Sequence, residues 1–307
     1  MRYFFSTGEA SGEASATLLA RAIAQVDAGA RFEGIGGERM RAAGFALWTD
    51  TRGWGGMGPL EAIAKIPKLY AIMWSTALRL RRRPPGLVVL VDFGAFNLRL
   101  AKTLRMLGYV GPVLYFFPPG AWLDKPAQAG LVARLATPLV AFEHQRDFYR
   151  ARNLAVQYFG HPLAPAYTMR AQRVAPPTDG GTVALLPGSR AGELRFHLPV
   201  LLDAFALLQR SRPNARARIG AADAGAQTLI EEALRGRDAL HVSIVRGAQT
   251  ALLDADAAWI ASGTAVLEAA LLGVPSIALY ILSAAQARIA RRVYHGDYIT
   301  IPNLVLH

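Results

Sequence analysis

Asp92 directly follows the apolar run Leu87-Val88-Val89-Leu90-Val91, which reads as a buried strand. A carboxylate at the carboxyl end of such a strand can serve as a general base; the plain alternative is a loop aspartate capping the next helix. Gly8-Glu9-Ala10-Ser11-Gly12-Glu13 lies between a first strand and a first helix. A glycine-rich turn there offers free N–H groups and roughly half an elementary positive charge to an anion, or is simply a tight turn with Ser11 as N-cap. Leu185-Leu186-Pro187-Gly188-Ser189-Arg190 runs from a strand into a turn where Gly188 admits a phosphate and Arg190 can grip it with two hydrogen bonds. The alternative is a capping serine beside a surface arginine. Ser262-Gly263-Thr264-Ala265 again joins a strand to a helix, and Glu268 follows one turn later, where a carboxylate can accept from a ribose diol or merely favour the helix dipole.

Two phosphate-binding signatures are excluded. Gly34-Ile35-Gly36-Gly37 would need glycine at position 39 to complete a dinucleotide fingerprint, and Arg39 stands there. No Gly-Lys-Ser/Thr follows Gly188, so a Walker A loop is absent.

The elements that must position these residues alternate along the chain. Residues 2–5, 31–35, 87–91, 113–117, 183–186, 216–219, 241–245, 257–260 and 276–280 read as strands, with helical patterns at 14–26, 63–80 and 97–107 and between most later strands. Such alternation implies α/β architecture with parallel sheets covered by helices on both faces. Pro162, Pro165, Pro176, Pro177, Gly180 and Gly181 interrupt it. Two Rossmann-like domains are therefore expected, over residues 1–165 and 180–307, facing a cleft that ligands enter at the carboxyl ends of the strands.

Composition narrows the chemistry. The 307 residues are 52% hydrophobic and 18% charged, a globular composition of about two domains. The absence of cysteine excludes disulfides, thiolate–zinc sites, iron–sulfur clusters and a thiol nucleophile. The six histidines show no HExxH-like pairing, so no metal site is expected. Lys+Arg exceed Asp+Glu by 34 − 22 = 12, which favours anionic partners. Arginine dominates that excess in an Ala- and Gly-rich chain, a pattern that coding bias also produces. Aromatic and basic residues do not interleave as in RNA-binding motifs, and no nucleic-acid partner is expected.

No window reaches the ~18 apolar residues of a membrane-spanning helix, and Met1–Ser6 lacks the apolar length of a signal peptide. Ile63, Ile66, Tyr70, Met73, Ala77 and Leu80 share one helical face, widened by Leu69, Ile72 and Trp74 and closed by Arg79, Arg81, Arg82 and Arg83. That stripe fits a helix lying on an anionic membrane, or a core helix ending in solvated charge. A cytosolic or peripherally attached protein is expected from these residues.

In order along the chain, Gly8–Gly12, Met57-Gly58 with Glu61, Asp92 with Phe96-Asn97, Gly160-His161-Pro162, Leu185–Arg190, Ser262–Ala265 with Glu268, and Pro302-Asn303-Leu304 resemble the lipid-A-disaccharide synthase family of GT-B glycosyltransferases. The resemblance implies a UDP-2,3-diacylglucosamine donor, a 2,3-diacylglucosamine 1-phosphate acceptor and an inverting β(1→6) transfer that releases UDP, without metal or other cofactor. It implies Asp92 as the base. Gly188, Ser189, Arg190, Ser262, Gly263, Thr264, Glu268 and Asn303 would bind the nucleotide sugar. Gly8, Glu9, Ser11, Gly12, Met57, Gly58, Glu61, Asn97 and His161 would lie on the acceptor side. The resemblance assigns no oligomeric state.

The sequence departs from the family pattern at Glu13, where the family has Asp, at Ala95, where it has a second Asp, and in the stretches Pro118–Asp124 and Glu143–Gln145. The family also continues beyond His307, so the second domain is expected to be incomplete. Two other readings remain open at this stage. One is another UDP-GlcNAc enzyme of the same architecture, such as the murein-pathway transferase or a 2-epimerase. The other is an inactive or altered-acceptor paralogue that binds UDP-sugar or lipid.

Overall fold

The computed structural model describes residues 1–51, 54, 59–119, 126–164, 180–282, 287–288, 300 and 302–303. The chain divides into two compact units, Met1–Pro162 and Leu163–His307. Of the Pro- and Gly-rich stretch between the expected domains, residues 165–179 lie outside the described residues.

The first unit begins with β1 (Arg2–Ser6), α1 (Ala10–Val26), β2 (Arg31–Gly36), α2 (Glu38–Ala42), β3 (Ala46–Asp50) and α3 (Pro59–Arg82). It continues through β4 (Leu87–Val91), α4 (Gly94–Met106), β5 (Val113–Phe116), α5 (Pro126–Leu135), β6 (Thr137–Val140), α6 (Glu143–Arg150) and β7 (Gln157–Tyr158). All seven strands are parallel, in the order β3-β2-β1-β4-β5-β6-β7.

Strand alternation sends successive side chains into two separate cores. Phe4, Val88, Leu90 and Tyr115 pack with Met73, Ala77 and Leu80 of α3 and Leu100 and Leu104 of α4. Phe5, Val89, Val91 and Phe116 pack on the opposite face with Ala16 and Ala20 of α1. Phe4 and Phe5 are fully buried, each stabilising the sheet by about 2–3 kcal/mol. Helices on both faces explain why β4 is apolar at every position. Gly34 is required by the same packing: a Cβ there would lie 2.0 Å from the Phe5 carbonyl oxygen.

The second unit runs β8 (Thr182–Leu186), α7 (Ala191–Ser211), β9 (Arg216–Ala221), α8 (Ala224–Leu234) and β10 (Val242–Arg246), then α9 (Ala248–Leu252), β11 (Ala257–Ala261), α10 (Thr264–Leu271) and β12 (Ser276–Leu279). Its five parallel strands are ordered β10-β9-β8-β11-β12. One face packs on Leu194, Leu198, Leu202 and Phe205 of α7, the other on Ala251, Leu252, Val266 and Ala269 of α9 and α10.

Several local expectations are corrected. The first helix starts at Ala10 and not at 14, with Glu9 in the extended N-cap position and no side-chain cap bond, so Ser11 does not cap. Ala and Ser tolerate helical geometry, which extends α1 back over the glycine-rich motif. The helix expected at 97–107 begins at Gly94. Strands β3, β6 and β7 were not anticipated; two are short sheet edges, and β6 carries Pro138.

Candidate functional site

Strand order reverses at one place in each sheet, between β1 and β4 in the first and between β8 and β11 in the second. Connections diverge there to opposite faces, leaving a crevice at the carboxyl ends of the two strands. The turns leaving β1 and β4 carry Gly8, Glu9 and Asp92; those leaving β8 and β11 carry Gly188–Arg190 and Ser262–Thr264. Topology therefore puts the expected anion-binding turns and the carboxylate at the positions where α/β sheets take ligands.

Asp92 is exposed, and its backbone is left-handed at φ 48°, as is that of Phe93. Two non-glycine residues in that region cost on the order of 1–2 kcal/mol each unless the surroundings hold them. The Asp92 N–H donates to Phe116 O at 2.8 Å, while its carbonyl accepts from Asn97 Nδ2 at 2.9 Å and Tyr115 Oη at 3.1 Å.

Asn97, expected on the acceptor side, is fully buried. Its Oδ1 accepts from Ser6 Oγ at 2.6 Å, and its Nδ2 also reaches the carbonyls of Ser6 and Val91. These bonds tie β1 to β4, so within this unit the Asn97 side chain braces the turn from beneath. Gly8 is similarly structural in its immediate contacts: a Cβ there would lie 2.3 Å from the Phe93 ring. At Gly12 a Cβ would make only ordinary contact, 3.5 Å from Thr7 Cβ and 3.7 Å from Val91 O.

Glu13, within the glycine-rich motif, turns away from any anion site and accepts the N–H groups of Arg39 and Met40 at the start of α2. Glu9 is half-buried and Ser11 exposed, beside the open N–H groups of α1. Met57 and Gly58 lie outside the described residues, as does the Glu61 side chain, although Glu61 itself belongs to α3.

His161 follows β7 and is half-buried between two rings, 5.2 Å from Phe117 and 5.5 Å from Phe142 by centroids. Those residues leave β5 and β6, so the cluster also stands at the carboxyl edge of the sheet. Burial pushes the imidazole pKa down to about 4, so the ring is neutral at physiological pH.

In the second unit Gly188 has φ 107°, a region that disfavours any side chain. The following turn places Arg190 at the N-cap of α7. Glu193 then folds back: Oε2 accepts from Ser189 N at 3.2 Å and Arg190 N at 3.4 Å, and Oε1 pairs with Arg190 Nη1 at 3.0 Å. A side-chain carboxylate thus occupies donors suited to a phosphate.

His197, one turn further and fully buried, lies with Nδ1 2.9 Å from Pro187 O and accepts Ile281 N–H at Nε2, also at 2.9 Å. It is therefore the Nδ1–H tautomer, joining the turn after β8 to the segment after β12. Ser262 and Gly263 lead into α10 with Gly263 exposed and extended at the N-cap. The Val266 N–H already closes on Gly263 O at 3.2 Å, so the leading donors of α10 are the N–H groups of Thr264 and Ala265. Glu268 is half-buried one turn later, and Asn303 is exposed.

Glu193, His197 and Tyr115 escaped the sequence reading. Glu193 had a usable signal, its capping spacing three residues after Arg190. Tyr115 and His197 look like ordinary members of apolar strand and helix faces, and only tertiary structure reveals what their polar atoms meet.

A profile of the lipid-A-disaccharide synthetase family matches residues 3–307. The lipid-A-disaccharide synthase of Syntrophus aciditrophicus is 34% identical over 309 residues, 97% of this chain and 79% of that protein. That of Synechocystis sp. is 33% identical, covering 100% of this chain and 82% of the other. Among solved structures, the UDP-GlcNAc 2-epimerase of Neisseria meningitidis bound to UDP-GlcNAc superposes with a TM-score of 0.58 at 12% identity, over 94% of this chain and 85% of that one. At that identity the likeness concerns the fold alone, which is the two-sheet GT-B fold.

Proposed function

Because this chain belongs to the lipid-A-disaccharide synthase family of GT-B glycosyltransferases, we propose that it transfers 2,3-diacylglucosamine from UDP to 2,3-diacylglucosamine 1-phosphate. The acceptor's 6-hydroxyl oxygen attacks the anomeric carbon, and the bond from that carbon to the UDP oxygen breaks with its electron pair leaving on UDP. The hydroxyl proton passes to the Asp92 carboxylate. Attack from the face opposite the leaving group inverts the donor's α configuration to a β(1→6) linkage.

The observation that carries this reading is the exposed Asp92 carboxylate at the β1/β4 reversal point. A base must come within ~3 Å of the hydroxyl it deprotonates, and exposure at a strand's carboxyl end permits that approach. Charge growing on UDP would be met by Arg190 and by the N–H groups of Ser189, Gly263 and Thr264, preorganised donors that need no rearrangement of solvent. Glu193 would yield the Ser189 and Arg190 donors to the pyrophosphate. Glu268 would hold the ribose diol with Asn303 also on the nucleotide-sugar side, and His161 would serve the acceptor side.

An acylated acceptor lies in a bilayer, and α3 supplies a surface to meet it. Ile66, Tyr70 and Trp74, four residues apart, are 45%, 45% and 42% exposed on one line of the helix, which ends in Arg79, Arg81 and Arg82. Such a stripe with a basic end suits an anionic inner-membrane surface. Among the described residues no helix is long and apolar enough to cross a membrane.

Incubation with the acylated UDP donor and acceptor, followed by NMR of the product, tests the reading. A β-linked disaccharide plus UDP is expected. Turnover only of unacylated UDP-GlcNAc, or binding without turnover, would overturn it in favour of an epimerase-like or inactive relative.

A further inference from the structure

We propose that Tyr115, Asn97 and Gly8 are positioning residues for Asp92, fixing the left-handed turn that presents its carboxylate without themselves touching substrate. The proposal rests on the reading of Asp92 as the base.

A left-handed pair of residues is ordinarily built with glycine or asparagine. Here the first position carries a carboxylate and the second a phenyl ring, so the conformation needs external restraint. Three elements supply it. From β5, Phe116 O accepts the Asp92 N–H and the Tyr115 hydroxyl donates to the Asp92 carbonyl. From α4, the Asn97 amide donates to the same carbonyl while its oxygen is anchored by Ser6 at the end of β1. From the turn after β1, Gly8 leaves the space that the Phe93 ring fills, and the ring packs 5.7 Å from Phe96 and 5.8 Å from Trp54.

The Asp92 carbonyl therefore receives two side-chain donors, and the peptide that follows it is held from one side by hydrogen bonds and from the other by a ring. Burial, with the Asp92 carboxylate nearby, pushes the Tyr115 phenol well above its ordinary pKa, so the hydroxyl remains a donor throughout the working pH range. Asn97 and Tyr115 are both fully buried, which separates them from any substrate-binding role.

Tyr115→Phe removes one hydrogen bond and leaves the aromatic core in place. The expected result is kcat reduced about tenfold with KM for both substrates and Kd for UDP within about twofold, because a displaced base slows chemistry and not binding. Amide resonances of Asp92 and Phe93 should shift, and Tyr115→Phe should add little to the loss already caused by Asp92→Asn. Wild-type kcat, or a parallel loss of kcat, UDP affinity and thermal stability, would overturn the proposal. Gly8→Ala provides the same kcat-only prediction should Tyr115→Phe fold poorly. The resonance shifts keep the two claims apart. Asp92→Asn at wild-type rate defeats the base reading, whereas unmoved Asp92 and Phe93 resonances defeat the positioning proposal whatever the rate.

Discussion

Glu193 Oε2 accepts the backbone N–H of Ser189 at 3.2 Å, so the turn that follows β8 holds a carboxylate of its own. The same side chain pairs with Arg190 at 3.0 Å. In chemical terms Glu193 stands in for an incoming anion, keeping the turn shaped and its donors satisfied. On the proposed reading, a pyrophosphate bound at this turn would have to displace it, and the free energy of that exchange would subtract from nucleotide affinity.

Glu193→Ala should consequently separate stability from binding. Loss of the cap costs about 1 kcal/mol and lowers the melting temperature, while release of Arg190 and the Ser189 N–H tightens UDP binding by about fivefold. Calorimetric titration with UDP checks the sign. Weaker binding would mean that Glu193 helps to hold the nucleotide.

His161 sets a pH dependence of stability. Its pKa is pushed down to about 4 by burial, below the ordinary value of 6.5, so between those values the unfolded chain binds more protons than the folded one. Stability then rises with pH across this window: the contribution is complete above about 6.5 and is lost as pH falls toward 4, by no more than about 3 kcal/mol. Chemical denaturation of wild type and His161→Phe between these pH values should give a smaller slope for the variant. Identical slopes would place the titration elsewhere.

Much of the frame was legible because it depends on local pattern. The uninterrupted run Leu87–Val91 gave β4 with its observed boundaries, and the strand–turn–helix punctuation located the turns at Gly188 and Gly263. Edges were less legible. Ala46–Asp50 is only half-buried and lacks strict alternation, Thr137–Val140 contains proline, and Gln157–Tyr158 is two residues long. Such strands exist because a neighbouring strand offers unpaired hydrogen bonds, which no local pattern encodes. The site shows the same division. The position of Asp92 at the exposed end of β4 was legible from the apolar run before it, whereas the contacts of Asn97 and Glu13 depend on partners at the ends of other elements, 91 and 26 residues away in sequence.

The exposed line of α3 gives a membrane prediction. Replacing Ile66, Tyr70 and Trp74 together with serine should reduce co-sedimentation with anionic vesicles by at least about tenfold, since each side chain loses apolar area buried in the interface. Raised salt should weaken the wild type as well, through the arginines at the helix end. Unchanged partitioning of the triple variant would assign the stripe to some other contact.

Steady-state transfer by Asp92→Asn bears most directly on the mechanism. The substitution preserves shape and hydrogen-bonding reach but cannot take up a proton at working pH. With Asp92 as the base, kcat falls by a factor of about 10² to 10⁴ while UDP binds with unaltered affinity. Transfer at the wild-type rate by a folded Asp92→Asn protein would contradict the account.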